Sequence, residues 1–302
     1  MTLPPPGPHG GDAVTVAAAL GLDPTRMLDL SQSLNPLAPD PVSVVGRHLD
    51  ALRHYPDGGR ATAALAEAMQ VDEQRLLLTN GGAEAIGLLS AAIGGRVIEP
   101  EFGLHPRAKG PLWCSNPHNP TGSLADDAAR ADVWDEAFYP LATGRWTRGD
   151  RSSVVVGSLT KLLGCPGLRL GYVLAPDAAT DVIAACRARQ PLWAVNGLAA
   201  AALPDLLASV DLEAWSVGIR ALRHGLGAVL CDHGLHARPS DANWVLVEAP
   251  GLRDRLAPHG IVVRDCTSFG MPDVVRIAVP GPGGLARLDE ALSSIDRRKG
   301  TS

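Results

Sequence analysis

GSLTKLLGCPGLRLGY, Gly157 to Tyr172, is the stretch on which the reading of this chain turns. It follows Ser152-Ser153-Val154-Val155-Val156, a β-branched run without alternation that predicts a strand buried on both faces. The strand ends in small polar residues and then one lysine, Lys161, the only lysine between Lys109 and Lys299. Its neighbours are apolar or belong to a Gly/Pro-rich turn, a setting that favours the neutral amine. A desolvated lysine amine can attack a carbonyl and hold it as a Schiff base. Ser158, three residues earlier, offers a hydroxyl, and Arg169, eight residues later, offers a planar five-donor fork that suits a phosphate. Together they point to an aldehyde cofactor carrying a phosphate. For the lysine alone, a buried stem whose head reaches the surface is the simpler reading; the flanking serine and arginine displace it.

The bulk numbers bound the rest. At 302 residues and 46% hydrophobic, the chain can bury a core sufficient for one large domain and a smaller one. A net charge of −5 without a lysine/arginine-rich block gives no support to nucleic-acid or anionic-membrane binding. Five scattered cysteines without a CxxC pair suit reduced thiols and no metal site. The first residues, MTLPPPGPHGG, lack a signal-peptide pattern, and no later run has membrane-spanning length, so a cytoplasmic protein without membrane or nucleic-acid partners is expected.

Other motifs fall in order along the chain. A Pro/Gly arm carries His9-Gly10-Gly11-Asp12 ahead of a short helix over 12–22, and an extended segment over 28–36 bears polar side chains that face a ligand or cap a turn. Tyr55 lies in a turn and, alone, reads as a half-buried phenol. Leu76-Leu77-Leu78 runs into Asn80-Gly81-Gly82-Ala83, and strand, glycine turn and helix N-terminus make an anion site. Phe102, read as closing a strand from Arg96-Val97-Ile98, stacks on a planar ring or packs in the core. SNPHNPTG, 115–122, is a run of turn formers that projects Asn119. Asp135, opening DEAF after Val133-Trp134, is a carboxylate at a strand end, where doubly wound sheets bind ligands. Helical patterning over 181–189, 196–209 and 212–233 follows, the last long enough to bridge two domains. Three C-terminal strands come next, two of them carrying Arg264 and Arg276, and a helix over 285–297 closes the chain.

With the lysine stretch, the glycine turn, NPHNPTG, DEAF and RIAVP in this order, the chain resembles the fold-type I pyridoxal-phosphate (PLP) enzymes of the class I/II aminotransferase group. HGGD at 9–12, LDLSQSLNPL at 28–37 and RDCTSFGMPD at 264–273 make it most similar, within that group, to the L-threonine-O-3-phosphate decarboxylases; histidinol-phosphate aminotransferases come next. The resemblance implies an α/β large domain over 41–210 with a seven-stranded, mostly parallel sheet. It also implies a small α+β domain over 211–302, joined by an N-terminal arm, 1–40.

By the same resemblance Lys161 would carry the cofactor and Asp135 would pair with its pyridinium nitrogen, with His105 behind. Asn119 would bond the ring hydroxyl and Phe102 would stack on the ring. Gly82, Ala83, Ser158 and Arg169 would hold the cofactor phosphate, joined by Tyr55 from the second subunit of a homodimer. His9, Gly10, Ser33, Asn119, Arg264 and Arg276 would bind a phosphorylated amino-acid or amine substrate. The implied activity is decarboxylation of O-phospho-L-threonine to 1-amino-2-propanol phosphate for cobalamin biosynthesis. Transamination of histidinol phosphate or a similar amine is the alternative, and a non-catalytic family derivative the second. Phe138 fits the decarboxylases better, since many aminotransferases have a tyrosine there. Two departures stand out: only ten residues, Pro106 to Ser115, separate His105 from Asn116, and only twelve, Ser123 to Trp134, lie between Gly122 and Asp135. Ser33 also stands where the decarboxylases usually carry asparagine.

Overall fold

The computed structural model describes residues 3–7, 9–148, 152–177, 179 and 181–299. Nine strands are present among them: β1 (Leu28–Leu30), β2 (Leu76–Asn80), β3 (Trp113–Ser115), β4 (Val133–Asp135), β5 (Val154–Ser158), β6 (Leu170–Leu174), β7 (Trp244–Glu248), β8 (Ile261–Asp265) and β9 (Val274–Ala278). They form a five-stranded sheet in the order β2-β6-β5-β4-β3 and a four-stranded sheet in the order β1-β8-β9-β7. In the first, β6 is antiparallel to both neighbours while β3, β4 and β5 pair in parallel, so every strand but β6 runs the same way.

The valine run reads without alternation because helices cover both faces of this sheet. Val155, Trp134, Tyr172 and Leu78 point into one core, packed with Leu65, Leu203 and Leu206. Their strand neighbours Val154, Val156, Val133, Val173 and Leu77 point into a second, with Leu89 and Ile183. A third core lies against the smaller sheet and includes Leu30 beside Val263 and Ile277. The helix Leu212–Asp232 serves two of these cores: Trp215 and Ile219 pack in the first, Leu226 and Leu230 in the third.

The large sheet has five strands and not the expected seven. The strand expected at Arg96-Val97-Ile98 is reduced to a single parallel bridge, Arg96 to Leu112. The physical reason is chain length: a strand and its return need about a dozen residues or more, and the segments before β3 and β4 are too short to supply both. β3 and β4 are therefore joined, over 116–132, by turns without a helix. What survives is the part that places side chains. Ser115 and Asp135 end β3 and β4 at one level, aligned with Val156 of β5, which runs two residues further to Ser158. Among the described residues no helix is long and apolar enough to cross a membrane.

Candidate active site

A cavity of about 270 Å³ opens at these strand ends, roofed by Arg264 of β8 and Arg276 of β9. Lys161 lies in it, on the short helix Leu159–Leu162 into which β5 runs. Its amine is pushed down to about 8, first by burial and then by the nearby Arg276 and Arg169 guanidiniums. Burial and the two guanidiniums thus shift Lys161 toward the neutral amine that its flanking residues predict.

Asp135 closes β4, and its Oδ1 accepts from the Ala137 N–H at 3.0 Å while Oδ2 lies 2.9 Å from His105 Nε2. Phe102 lines the cavity and meets the His105 ring edge-on, with centroids 5.6 Å apart. Asn119 is held by its own N–H, which donates to Ser115 Oγ at 3.0 Å, and its Oδ1 accepts from Arg276 Nη1 at 2.8 Å. Gly82, Ala83, Ser158 and Arg169 share one end of the cavity. There the helix Gly81–Ile93 begins without a side-chain cap, so its first N–H groups remain available to an anion. A Cβ on Gly81 would come within 2.5 Å of Arg169 Nη2; only glycine lets the guanidinium fold over the turn.

From the other side, His9 reaches the cavity and meets Phe102 edge-on at 5.7 Å. Its arm is tied down where Arg253 Nη2 donates to Pro4 O at 3.1 Å and Asp12 Oδ2 at 3.0 Å. Gly10 does not line the cavity. It shapes the arm, with φ at 72° and a position where a Cβ would lie 2.7 Å from the Ser31 carbonyl. Ser33 is also outside: fully buried at φ 51°, it gives its carbonyl to Asn243 Nδ2 at 2.7 Å. Gln32 takes the place expected for it, lining the cavity with Nε2 donating to Asp29 Oδ2 at 2.7 Å. Tyr55 is remote from its own chain's cavity, exposed, with its ring 4.5 Å from Trp193.

Sequence reasoning also missed Trp244. Its indole N–H donates to Pro120 O at 2.9 Å, Phe138 packs edge-on against it at 4.6 Å, and the Arg276 guanidinium lies 4.8 Å over its ring. A tryptophan in an apolar strand reads as core, and nothing local separates the two roles.

Glu136, next to Asp135, is buried and pushed up to about 7, mainly by desolvation. Because its folded value exceeds the ordinary 4.5, the protein loses stability as pH rises from about 4.5 through about 7. Glu136→Gln is expected to flatten the thermal-melting profile over that interval, raising stability at pH 8 by at most about 3 kcal/mol. Melting temperatures at pH 5 and pH 8 check this, and an unchanged slope would refute it.

An uncapped helix N-terminus with a hydroxyl and a guanidinium, a desolvated amine, and a carboxylate across the cavity together fit an aromatic aldehyde phosphate. Comparison with known proteins agrees. The chain belongs to the family aminotransferase class I and II, whose family model matches residues 104–295. It is an enzyme of the PLP-dependent, fold-type I class. It is similar to the threonine-phosphate decarboxylase of Salmonella typhimurium, at 30% identity over 95% of this chain and 96% of that protein. To the histidinol-phosphate aminotransferase of Halorubrum lacusprofundi the identity is 29%, over 93% of each. The histidinol-phosphate aminotransferase of Sinorhizobium meliloti, solved in complex with pyridoxal-5'-phosphate, superposes with a TM-score of 0.79 at 18% identity, covering 95% of both chains. The Salmonella alignment runs over 360 positions although this chain has 302 residues, so the match is carried across gaps.

Proposed function

We propose that the protein decarboxylates O-phospho-L-threonine, releasing CO₂ and 1-amino-2-propanol phosphate, the product that the resemblance assigns to cobalamin biosynthesis. The observation that carries this reading is the pair Arg264 and Arg276, cross-strand partners on β8 and β9 that both roof the cavity. Two buried guanidiniums are costly to place side by side, and burial together with Arg264 pushes Arg276 down to about 9. A substrate bearing both a phosphate and a carboxylate offsets that cost. Phe138, held against Trp244, presents no hydroxyl where many aminotransferases have one.

When bound, PLP supplies an aromatic ring that accepts the electron pair of a bond broken at the substrate's Cα. This chain's residues do the rest. Asp135 would hold a proton at the ring nitrogen, Asn119 would donate to the ring oxygen, and Phe102 would cover the ring face. Arg264 and Arg276 would bind the substrate's phosphate and carboxylate and so set which Cα bond breaks; on this reading it is the bond to the carboxylate, which leaves as CO₂. Lys161 Nζ would hold the proton that replaces the carboxylate at Cα. Were the Cα–H bond the one broken, Lys161 Nζ would take that proton and transamination would follow.

The same reading takes a second copy of the chain as partner. Tyr55 lies away from its own cavity, exposed beside the exposed Trp193, which suits a phenol contributed to a neighbour's site. Purified protein with PLP and O-phospho-L-threonine, assayed together for CO₂ and for keto acid, tests the reaction. CO₂ with aminopropanol phosphate supports decarboxylation, while amino transfer to a keto acid without CO₂ replaces it with an aminotransferase. Sizing the same preparation tests the dimer, which a monomeric active species would exclude.

A further inference from the structure

Behind Asp135 lies a buried carboxylate that the scheme above does not use. Glu101 is 4% exposed, and three donors orient it: the Ser115 N–H to Oε2 at 2.9 Å, the Phe102 N–H to Oε1 at 2.8 Å, and the Ser115 hydroxyl to Oε1. Oε1 stands 3.7 Å from His105 Nδ1, and on the far side of the same ring Nε2 lies 2.9 Å from Asp135 Oδ2. The imidazole is fully buried, with Phe102 and Trp113 as its aromatic neighbours. Nδ1 has no hydrogen-bond partner among the described residues.

An imidazole between two carboxylates has a proton-placement problem. Nε2 must carry a hydrogen to bond Asp135, since a bare nitrogen there would set acceptor against acceptor. Nδ1 then faces a carboxylate oxygen beyond hydrogen-bond reach but well within electrostatic range. Only a proton on the Nδ1 side makes that contact attractive.

We propose that Glu101 is a positioning residue for the cofactor: it keeps a proton on the Nδ1 side of His105, which pins the ring with Nε2–H on Asp135 and aims that carboxylate at the pyridine nitrogen. This rests on the reading that the cavity holds PLP. Ser115 couples the relay to the opposite edge of the site, because its hydroxyl donates to Glu101 and accepts from the Asn119 N–H.

Nitrogen-15 NMR of histidine-labelled protein without cofactor tests the proton, with His105→Gln identifying the resonances. The wild type is expected to show hydrogen on both ring nitrogens of His105, and Glu101→Gln to leave one of them bare. PLP titration, followed by visible absorbance, should give about tenfold weaker binding for Glu101→Gln, the size of effect that loss of an outer partner has at a metal-bound histidine. A bare Nδ1 in the wild type overturns the proposal without recourse to any variant. So does a folded Glu101→Gln protein with wild-type nitrogen shifts and wild-type PLP affinity. Failure of the wild type itself to take up PLP would strike the underlying reading instead.

Discussion

Lys161→Ala is expected to give a folded protein that has lost the visible absorbance of lysine-bound PLP and that turns over at least about 10²–10⁴-fold more slowly, the range for a lost proton-transfer group. The loss is chemical and not structural. The lysine sits in a cavity wall on a four-residue helix, and removing a desolvated amine takes nothing from the cores. The wild type supplies a second readout of the same residue. With the amine at about 8, its neutral fraction falls about tenfold per pH unit below that value, so capture of PLP by the cofactor-free protein should slow in step as pH drops from 8 to 6. Stopped-flow absorbance against pH measures it. Normal turnover by Lys161→Ala would end the mechanism, and a flat capture rate would remove the pH argument.

The second large effect concerns Arg276. Arg276→Met is expected to lower kcat/KM for O-phospho-L-threonine by about 10²–10³-fold, as truncating a buried charge-assisted anion contact does. The same substitution is expected to raise the melting temperature. It removes a buried guanidinium that faces another across β8 and β9, and methionine keeps much of the stem packed on Trp244. Opposite signs in the two measurements distinguish a substrate clamp from a structural arginine. Unchanged affinity, or activity and stability falling together, would deny Arg276 the role.

That Lys161, Ser158 and Arg169 share one cavity was legible because local spacing along one strand, turn and strand brings them together. Asp135 and Asn119 were legible because strand ends and turn formers mark themselves. The reading failed where tertiary contact decides. In the segment over 28–36 the polar cluster was recognised, but the left-handed backbone at Ser33 turns that side chain away and leaves Gln32 facing the cavity. Glu101 was passed over for its neighbour Phe102, since nothing nearby in sequence shows His105 standing between two carboxylates. The strand count came from resemblance alone, and the two short connections in this chain already contradicted it.

Those connections leave β3, a three-residue strand, near the border of its sheet. An unpaired border invites another chain to add to it. Here the neighbouring loop acts as a bumper: the Arg96 N–H donates to Pro111 O and the Trp113 N–H to Arg96 O, each at 2.9 Å, while the Trp113 indole N–H donates to Gly94 O at 3.1 Å. The segment before β3 thus covers backbone that would otherwise be open at the sheet's border. A deletion within 107–112, which spares Glu101, Phe102 and His105, would therefore be expected to show as aggregation.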